Sequence, residues 1–251
     1  MASDTPTRVA VFGATSGIAT AVARLYAGRG ARLVLIGRDR AALEASAADL
    51  RTRGAAAVEL VAADFAQPDR TIAAAGEAFA AFGGLDVAMV AYGSLPDQVA
   101  AQKEPAQLIA AIGLNLVSPV LLCEQLAARF EAQGHGALAV ITSVAGNRGR
   151  QSNYIYGAAK GGLQRYLEGL RHRLHASAIA VTDIRPGFVR TAMTEHLPRG
   201  GPLWAEPGAV GAEIVRAIDG CRAVVYTPRF WRYIMWVVQA LPRTLIHRTR
   251  L

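Results

Sequence analysis

The 251-residue sequence predicts an α/β fold: a single domain with one doubly wound parallel sheet of about seven strands and helices on both faces. Three observations predict it. Short apolar runs alternate with longer helical patterns from Arg8 to Tyr226, with no internal repeat, low-complexity stretch or linker. A glycine-rich turn, Gly13-Ala-Thr-Ser-Gly17, separates the first run from the first helical pattern. Gly13, Asp64, Gly93, Ser143 and Pro186 all fall where an apolar run ends, and ligands of such sheets sit beyond the carboxyl ends of the strands.

Hydrophobic residues make up 52% of the chain and charged residues 18%, which excludes a disordered protein and allows a sizeable core. The polar start Met1–Arg8 does not read as a signal peptide, and no stretch reads as approaching the ~20 apolar residues of a membrane span. Cys123 and Cys221 form no motif and read as reduced thiols of a cytoplasmic protein. A net charge of +8 fits nucleic acid, an anionic membrane or a phosphorylated ligand, but no nucleic-acid motif accompanies it. The five histidines lack metal-ligand spacing, and His172 and His175 read as a solvated helix face, so no metal is expected.

In chain order, Arg8–Phe12 reads as the first strand and the pattern through Tyr26 as the first helix. Between them lies an anion-binding corner. Its glycines let the backbone approach a pyrophosphate, and the free N–H groups of the helix start favour that charge. Thr15 and Ser16 add hydroxyls and a helix N-cap. Strand two, Arg32–Ile36, ends at Gly37-Arg38-Asp39. An acid capping this strand would bond a ribose 2′-hydroxyl and repel a 2′-phosphate. Gly37 followed by Arg38 therefore favours NADP(H) over NAD(H), with Asp39 as the counter-indication.

A helix over about Arg40–Thr52 leads to strand three, Ala57–Ala62, and to Asp64-Phe65, where the acid either accepts from an adenine amino group or caps the next helix. Helix Pro68–Phe82 precedes strand four, Val87–Val90, which runs into Ala91-Tyr92-Gly93. Gln98–Gln133 reads as one long helix with Asn115 near its middle. Strand five, Ala137–Thr142, ends at Ser143, and the helix that follows extends to about His175. Strand six, Ala180–Ile184, ends before Pro186-Gly187, and strand seven spans Ala223–Tyr226. The order of elements is Rossmann-type.

Tyr156-Gly-Ala-Ala-Lys160 supplies the chemistry. Positions i and i+4 share a helix face, so a phenol and an ammonium project into one pocket. An unperturbed tyrosine, with a pKa of roughly 10, carries protons poorly near neutrality, and a nearby cation draws that pKa down. Ser143 can hold a carbonyl or alcohol oxygen beside them. With a hydride supplied, the set interconverts a ketone and an alcohol.

Together these residues resemble the short-chain dehydrogenase/reductase family over roughly residues 8 to 226, in family order and spacing. The resemblance implies that Tyr156 is the general acid, that Ser143 orients the substrate oxygen, that Lys160 holds the nicotinamide ribose and lowers the tyrosine pKa, and that Asn115 keeps a relay water. It implies cofactor contacts at Gly13, Thr15, Ser16, Gly17 and Ile18, at Arg38, Asp64 and Phe65, at Ala91 and Gly93, and at Tyr156 and Lys160. Pro186, Gly187, Val189 and Thr191 complete that set, the last two meeting the carboxamide. Three departures from the family pattern stand out: Val90-Ala-Tyr-Gly93 stands where Asn-Asn-Ala-Gly is usual, Phe12 where a threonine is usual, and Ala19 in place of the turn's last glycine.

Residues 191–207 take the position of the family's substrate lid. The tail, 229–251, carries five arginines and no acid, with Trp231, Tyr233 and Trp236 among aliphatics. That mixture suits a membrane interface, and equally a core-packing helix with a basic end. With Ala91-Tyr-Gly93, Arg185–Arg190 and Met193–Leu197, the tail resembles reductases of a 2-keto sugar carried on a polyprenyl phosphate. This implies an NADPH-dependent ketoreductase, peripheral on the inner face of the plasma membrane, with a lipid-linked ketone as substrate. A soluble reductase of acyl or small-molecule ketones shares every reacting side chain, and a dinucleotide-sensing protein shares the fold. The family resemblance also implies a homo-oligomer, dimer or tetramer, through helices around 107–130 and 156–175.

Overall fold

The structure, a computed structural model, describes residues 5–197 and 200–246. Seven parallel strands, β1 (Arg8–Phe12), β2 (Arg32–Gly37), β3 (Ala57–Ala62), β4 (Val87–Val90), β5 (Gly136–Ile141), β6 (Ile179–Pro186) and β9 (Val224–Thr227), lie in the order β3-β2-β1-β4-β5-β6-β9. Two short strands, β7 (Phe188–Val189) and β8 (Trp204–Ala205), pair separately.

The central strands alternate between two cores. Val9, Val11, Leu33 and Leu35 face one, and Ala10, Phe12, Val34 and Ile36 the other. A parallel sheet must be covered on both sides, and here it is. Helices α1 (Gly17–Ala27), α2 (Arg40–Thr52) and α8 (Pro207–Asp219) bury the first core. Helices α3 (Pro68–Ala81), α6 (Ser118–Gln133) and α7 (Tyr154–Arg173) bury the second. Local chemistry sets the helix starts. Ser16 Oγ accepts from Ala19 N at 3.3 Å and Asp39 Oδ1 from Ala42 N at 3.0 Å, while α3, α6 and α8 carry proline in the first turn.

The long helix expected over Gln98–Gln133 is broken. Helix α4 (Gln98–Lys103) stops at Glu104, which the following Pro105 holds extended. Helix α5 (Pro105–Ile112) then passes through a π-helical turn, Gly113–Val117, into α6. Within the 29-residue run Pro105–Gln133 an 18-residue window reaches a mean hydropathy of 1.9, enough by length and composition to cross a membrane, so the sequence reading of no such stretch is corrected. Its apolarity has a second origin, because Leu122, Cys123, Leu126, Ala127 and Phe130 pack into the core.

The tail forms α9 (Trp231–Ala240) and α10 (Arg243–Ile246). Trp231 and Met235 are buried against Val144 and Phe188, as in the core-packing reading. Tyr233 and Trp236 are each 72% exposed on the outer face, with Val237 beside them. Arg248 and Arg250 lie outside the described residues.

Candidate active site

Strand order reverses at β1, whose neighbours are β2 and β4, so a crevice opens at the carboxyl ends of β1 and β4. A cleft of about 760 Å³ lies there. It gathers Thr15, Ser16, Gly17 and Ile18 from the first turn, Ala91 and Gly93 from the end of β4, and Ser143, Tyr156 and Lys160 from β5 and α7. Pro186, Gly187, Val189 and Thr191 close the far side. Gly13, Arg38, Asp64, Phe65 and Asn115 do not line it.

Gly13 is nevertheless fixed by the corner. With φ +85°, a Cβ there would sit 2.8 Å from Tyr92 N and Cβ, so only glycine fits. A Cβ on Gly17 would lie 3.1 Å from Thr191 Cγ2, so the helix start is held close to the segment after β7. The capped start of α1 has no acid in its first turn, leaving Gly17 and Ile18 as a place for phosphate oxygens. These glycine-floored walls fit a dinucleotide.

Arg38, Asp64 and Phe65 stand farther along the same edge, beyond β2 and β3. Arg38 is exposed, while the Asp39 carboxylate is used as the N-cap of α2. Asp64 is not a helix cap: its Oδ1 accepts from Ala66 N at 3.1 Å, and Gln67 occupies the N-cap of α3. The Phe65 ring is core, not cleft.

That ring explains two of the departures. Phe65 stacks on Tyr92 at 3.9 Å between ring centroids and meets Phe12 at 6.3 Å. The Tyr92 hydroxyl reaches Ser118 Oγ at 2.9 Å, and burial pushes that phenol far up. An aromatic cluster with one buried hydroxyl pair thus ties β4 to α6 where a side-chain amide is usual.

Ser143 Oγ accepts from Ala145 N at 3.1 Å at the start of a one-turn 3-10 helix, Val144–Asn147. On α7, Lys160 Nζ lies 5.9 Å from the Tyr156 ring centroid and donates to Ile141 O at 3.1 Å. Burial pushes Tyr156 up to about 12, opposed by its hydrogen bond with Ser143. Burial brings Lys160 down to about 8, opposed by the charge of Asp183. Burial is the largest influence on the Tyr156 phenol, so the lowering expected from the cation meets an opposing desolvation.

Asn115, fully buried in the π-helical turn, donates to Ala111 O at 3.0 Å and accepts from Ser94 N at 3.1 Å. A Cβ on Gly93, whose φ is +157°, would lie 2.7 Å from Asn115 Oδ1 and 3.5 Å from Lys160 Nζ. Gly93 is the gap across which these two polar groups approach the end of β4.

A family model described as short chain dehydrogenase matches residues 7–200. The chain belongs to the short-chain dehydrogenase family. It is 36% identical to an uncharacterized oxidoreductase of Streptomyces coelicolor, over 98% of this chain and 97% of the relative. It is 37% identical to an uncharacterized oxidoreductase of Mycobacterium tuberculosis, over 96% of each. Among solved structures it resembles a short-chain dehydrogenase from Sphingobium yanoikuyae in complex with NADPH, with a TM-score of 0.81, 28% identity, and 98% and 97% of the two chains covered.

Behind the far side of this short-chain dehydrogenase's cleft lies an aromatic cluster. Phe188 stacks on Trp204 at 5.2 Å and meets Trp231 edge-on at 5.5 Å. A Cβ on Gly187 would fall 1.9 Å from Trp231 Nε1, so α9 packs directly behind the cleft. The sequence reading missed this role of Trp231, and missed Ile141, Thr142, Tyr92, Ala192 and Met193 as cleft residues. Adjacency to Ser143 was the available signal for Ile141 and Thr142.

Proposed function

We propose that this short-chain dehydrogenase is an NADPH-dependent ketoreductase in which Ser143 holds the substrate oxygen and Tyr156 protonates it. The carrying observation is the convergence of Ser143, Tyr156 and Lys160 in one cleft with the glycine corner of β1 and α1. The nicotinamide, when bound, supplies the hydride. A phenol pushed up to about 12 stays protonated at neutral pH, which is the form an acid needs. Lys160, charged below about 8, would hold the nicotinamide ribose, while Asn115 keeps the end of β4 beside it and supports a relay water. Preference for NADPH is supported by exposed Arg38 after Gly37 and by the use of Asp39 as a helix cap.

For the substrate we propose a ketone on a lipid-linked sugar or other keto-lipid, reduced at the inner face of the plasma membrane. The outer face of α9, with Tyr233, Trp236 and Val237, supports this. So does a neighbouring cleft of about 790 Å³ that contains Arg222, Arg229 and Arg232 and, among the described residues, no carboxylate. The tail also resembles that of the keto-reductase partner of decaprenylphosphoryl-ribose 2-epimerase. Exposed Leu108 and Ile109 on α5, with Val117 in the π-helical turn after it, support a homo-oligomer through this segment. A second reading, a soluble reductase of 3-oxoacyl thioesters, is favoured by 29% identity to the human 3-oxoacyl-[acyl-carrier-protein] reductase over 77% of this chain.

Nicotinamide fluorescence titration with NADPH and NADH, on wild type and Arg38→Ala, tests the cofactor. Tighter NADPH binding that the variant loses supports the reading, and an NADH preference overturns it. Turnover of polyprenyl-phosphate keto sugars against 3-oxoacyl thioesters then decides between the two substrate classes.

A further inference from the structure

Resting on the reading of Ser143 as the group that holds the substrate oxygen, we propose that the buried pair Asp183–Arg185 is a positioning device for it. The pair fixes the backbone on both sides of Ser143 and so sets where the substrate oxygen sits. Asp183 is 1% exposed on β6, and Arg185 bonds its Oδ2 at 2.7 Å. Each partner then reaches a different side of the serine. Thr142, immediately before Ser143, donates to Asp183 Oδ1 at 2.6 Å. Gln164 on α7 contacts the same threonine hydroxyl at 3.4 Å and donates to the Ser143 carbonyl at 2.7 Å. On the other side, Arg185 donates to the Tyr226 hydroxyl at 3.0 Å, and Asn147, at the end of the turn that Ser143 opens, donates to that same oxygen at 2.8 Å. One ion pair therefore clamps Thr142 through its carboxylate and Asn147 through its guanidinium.

Stability alone is a weak reason for such a pair, since a buried ion pair is often replaceable by apolar residues at no loss. Its bonds converge on the serine turn instead. Lys160 and Arg171 from α7, Arg185 from β6 and Tyr226 from β9 are the charged or titratable groups around Asp183. Removing the carboxylate charge thus also takes support from the protonated form of Lys160.

The test uses Tyr226→Phe, which keeps the ring and cuts only the arm to Asn147, and Asp183→Asn, which keeps an acceptor for Thr142. Amide hydrogen exchange across 144–147 should quicken in Tyr226→Phe relative to wild type, with exchange in β1 and α1 unchanged. Turnover of a carbonyl probe should fall about tenfold to a hundredfold, the scale of a ~1 Å misplacement, with NADPH affinity kept. In Asp183→Asn the alkaline limb of the pH–rate profile should also move to lower pH, while in Tyr226→Phe it should stay. Unchanged exchange at 144–147 in Tyr226→Phe overturns the clamp whether or not the probe is turned over. Unchanged turnover in an active enzyme overturns it equally. An inert wild type with quickened exchange in the variant would fault the ketoreductase reading and leave the clamp standing.

Discussion

Replacing Lys160 with methionine is expected to stabilise the cofactor-free protein while abolishing turnover. Burial lowers Lys160 from 10.5 to about 8. The folded value lies below the unfolded one, so the unfolded chain holds the proton more tightly. The cost of the buried charge is therefore fully present below about pH 8 and fades as pH rises to 10.5. At pH 7 it amounts to roughly 3 kcal/mol, from about 1.4 kcal/mol per pKa unit. Methionine keeps the length of the side chain but loses the 3.1 Å bond to Ile141 O, which costs about 1 kcal/mol. The net gain is about 2 kcal/mol, or roughly 4–8 °C in melting temperature for a chain of this size. Thermal melts of both proteins at pH 7 and at about pH 9.5, without nicotinamide, measure it; by the same linkage the gain should nearly vanish at the higher pH. A variant less stable than wild type at pH 7, or a difference equal at both pH values, would refute the placement of a desolvated cation in this cleft.

Two further outcomes bear on the rest of the molecule. Tyr92→Phe should lose about 1 kcal/mol in urea unfolding, the worth of the buried bond to Ser118, with its stack on Phe65 intact; no loss would remove that bond as the substitute for the usual amide. Changing Tyr233 and Trp236 together to alanine should cut co-sedimentation with phosphatidylglycerol vesicles and leave the melting temperature within a few degrees, because both lie on the outer face of α9. Equal sedimentation of variant and wild type would remove the membrane reading of the tail.

The sheet was legible because strands buried on both faces leave short continuous apolar runs: β1 and β4 are buried along almost their whole length, and β1, β3 and β4 run where the apolar runs do. The break at Glu104 was available in Pro105, but the π-helical turn was not. It depends on how Asn115 meets Ala111 and Ser94 in space, and no local propensity encodes that. The cleft residues were legible as glycines and polar groups at strand ends. Met193 and Trp231 were not, since their placement follows from how the segment after β7 and the tail fold back on Gly187. The surroundings of Tyr156 were only half legible for a related reason. Spacing reveals the neighbouring cation, whereas only packing reveals the burial that pushes the phenol up.

The most direct test compares wild type and Tyr156→Phe in two paired readings, nicotinamide fluorescence on adding NADPH and NADPH oxidation with a panel of ketones. Both proteins should bind NADPH with similar affinity, and only wild type should oxidise it, because the cleft remains and the proton donor is gone. Undiminished oxidation by Tyr156→Phe would contradict the assignment of the acid.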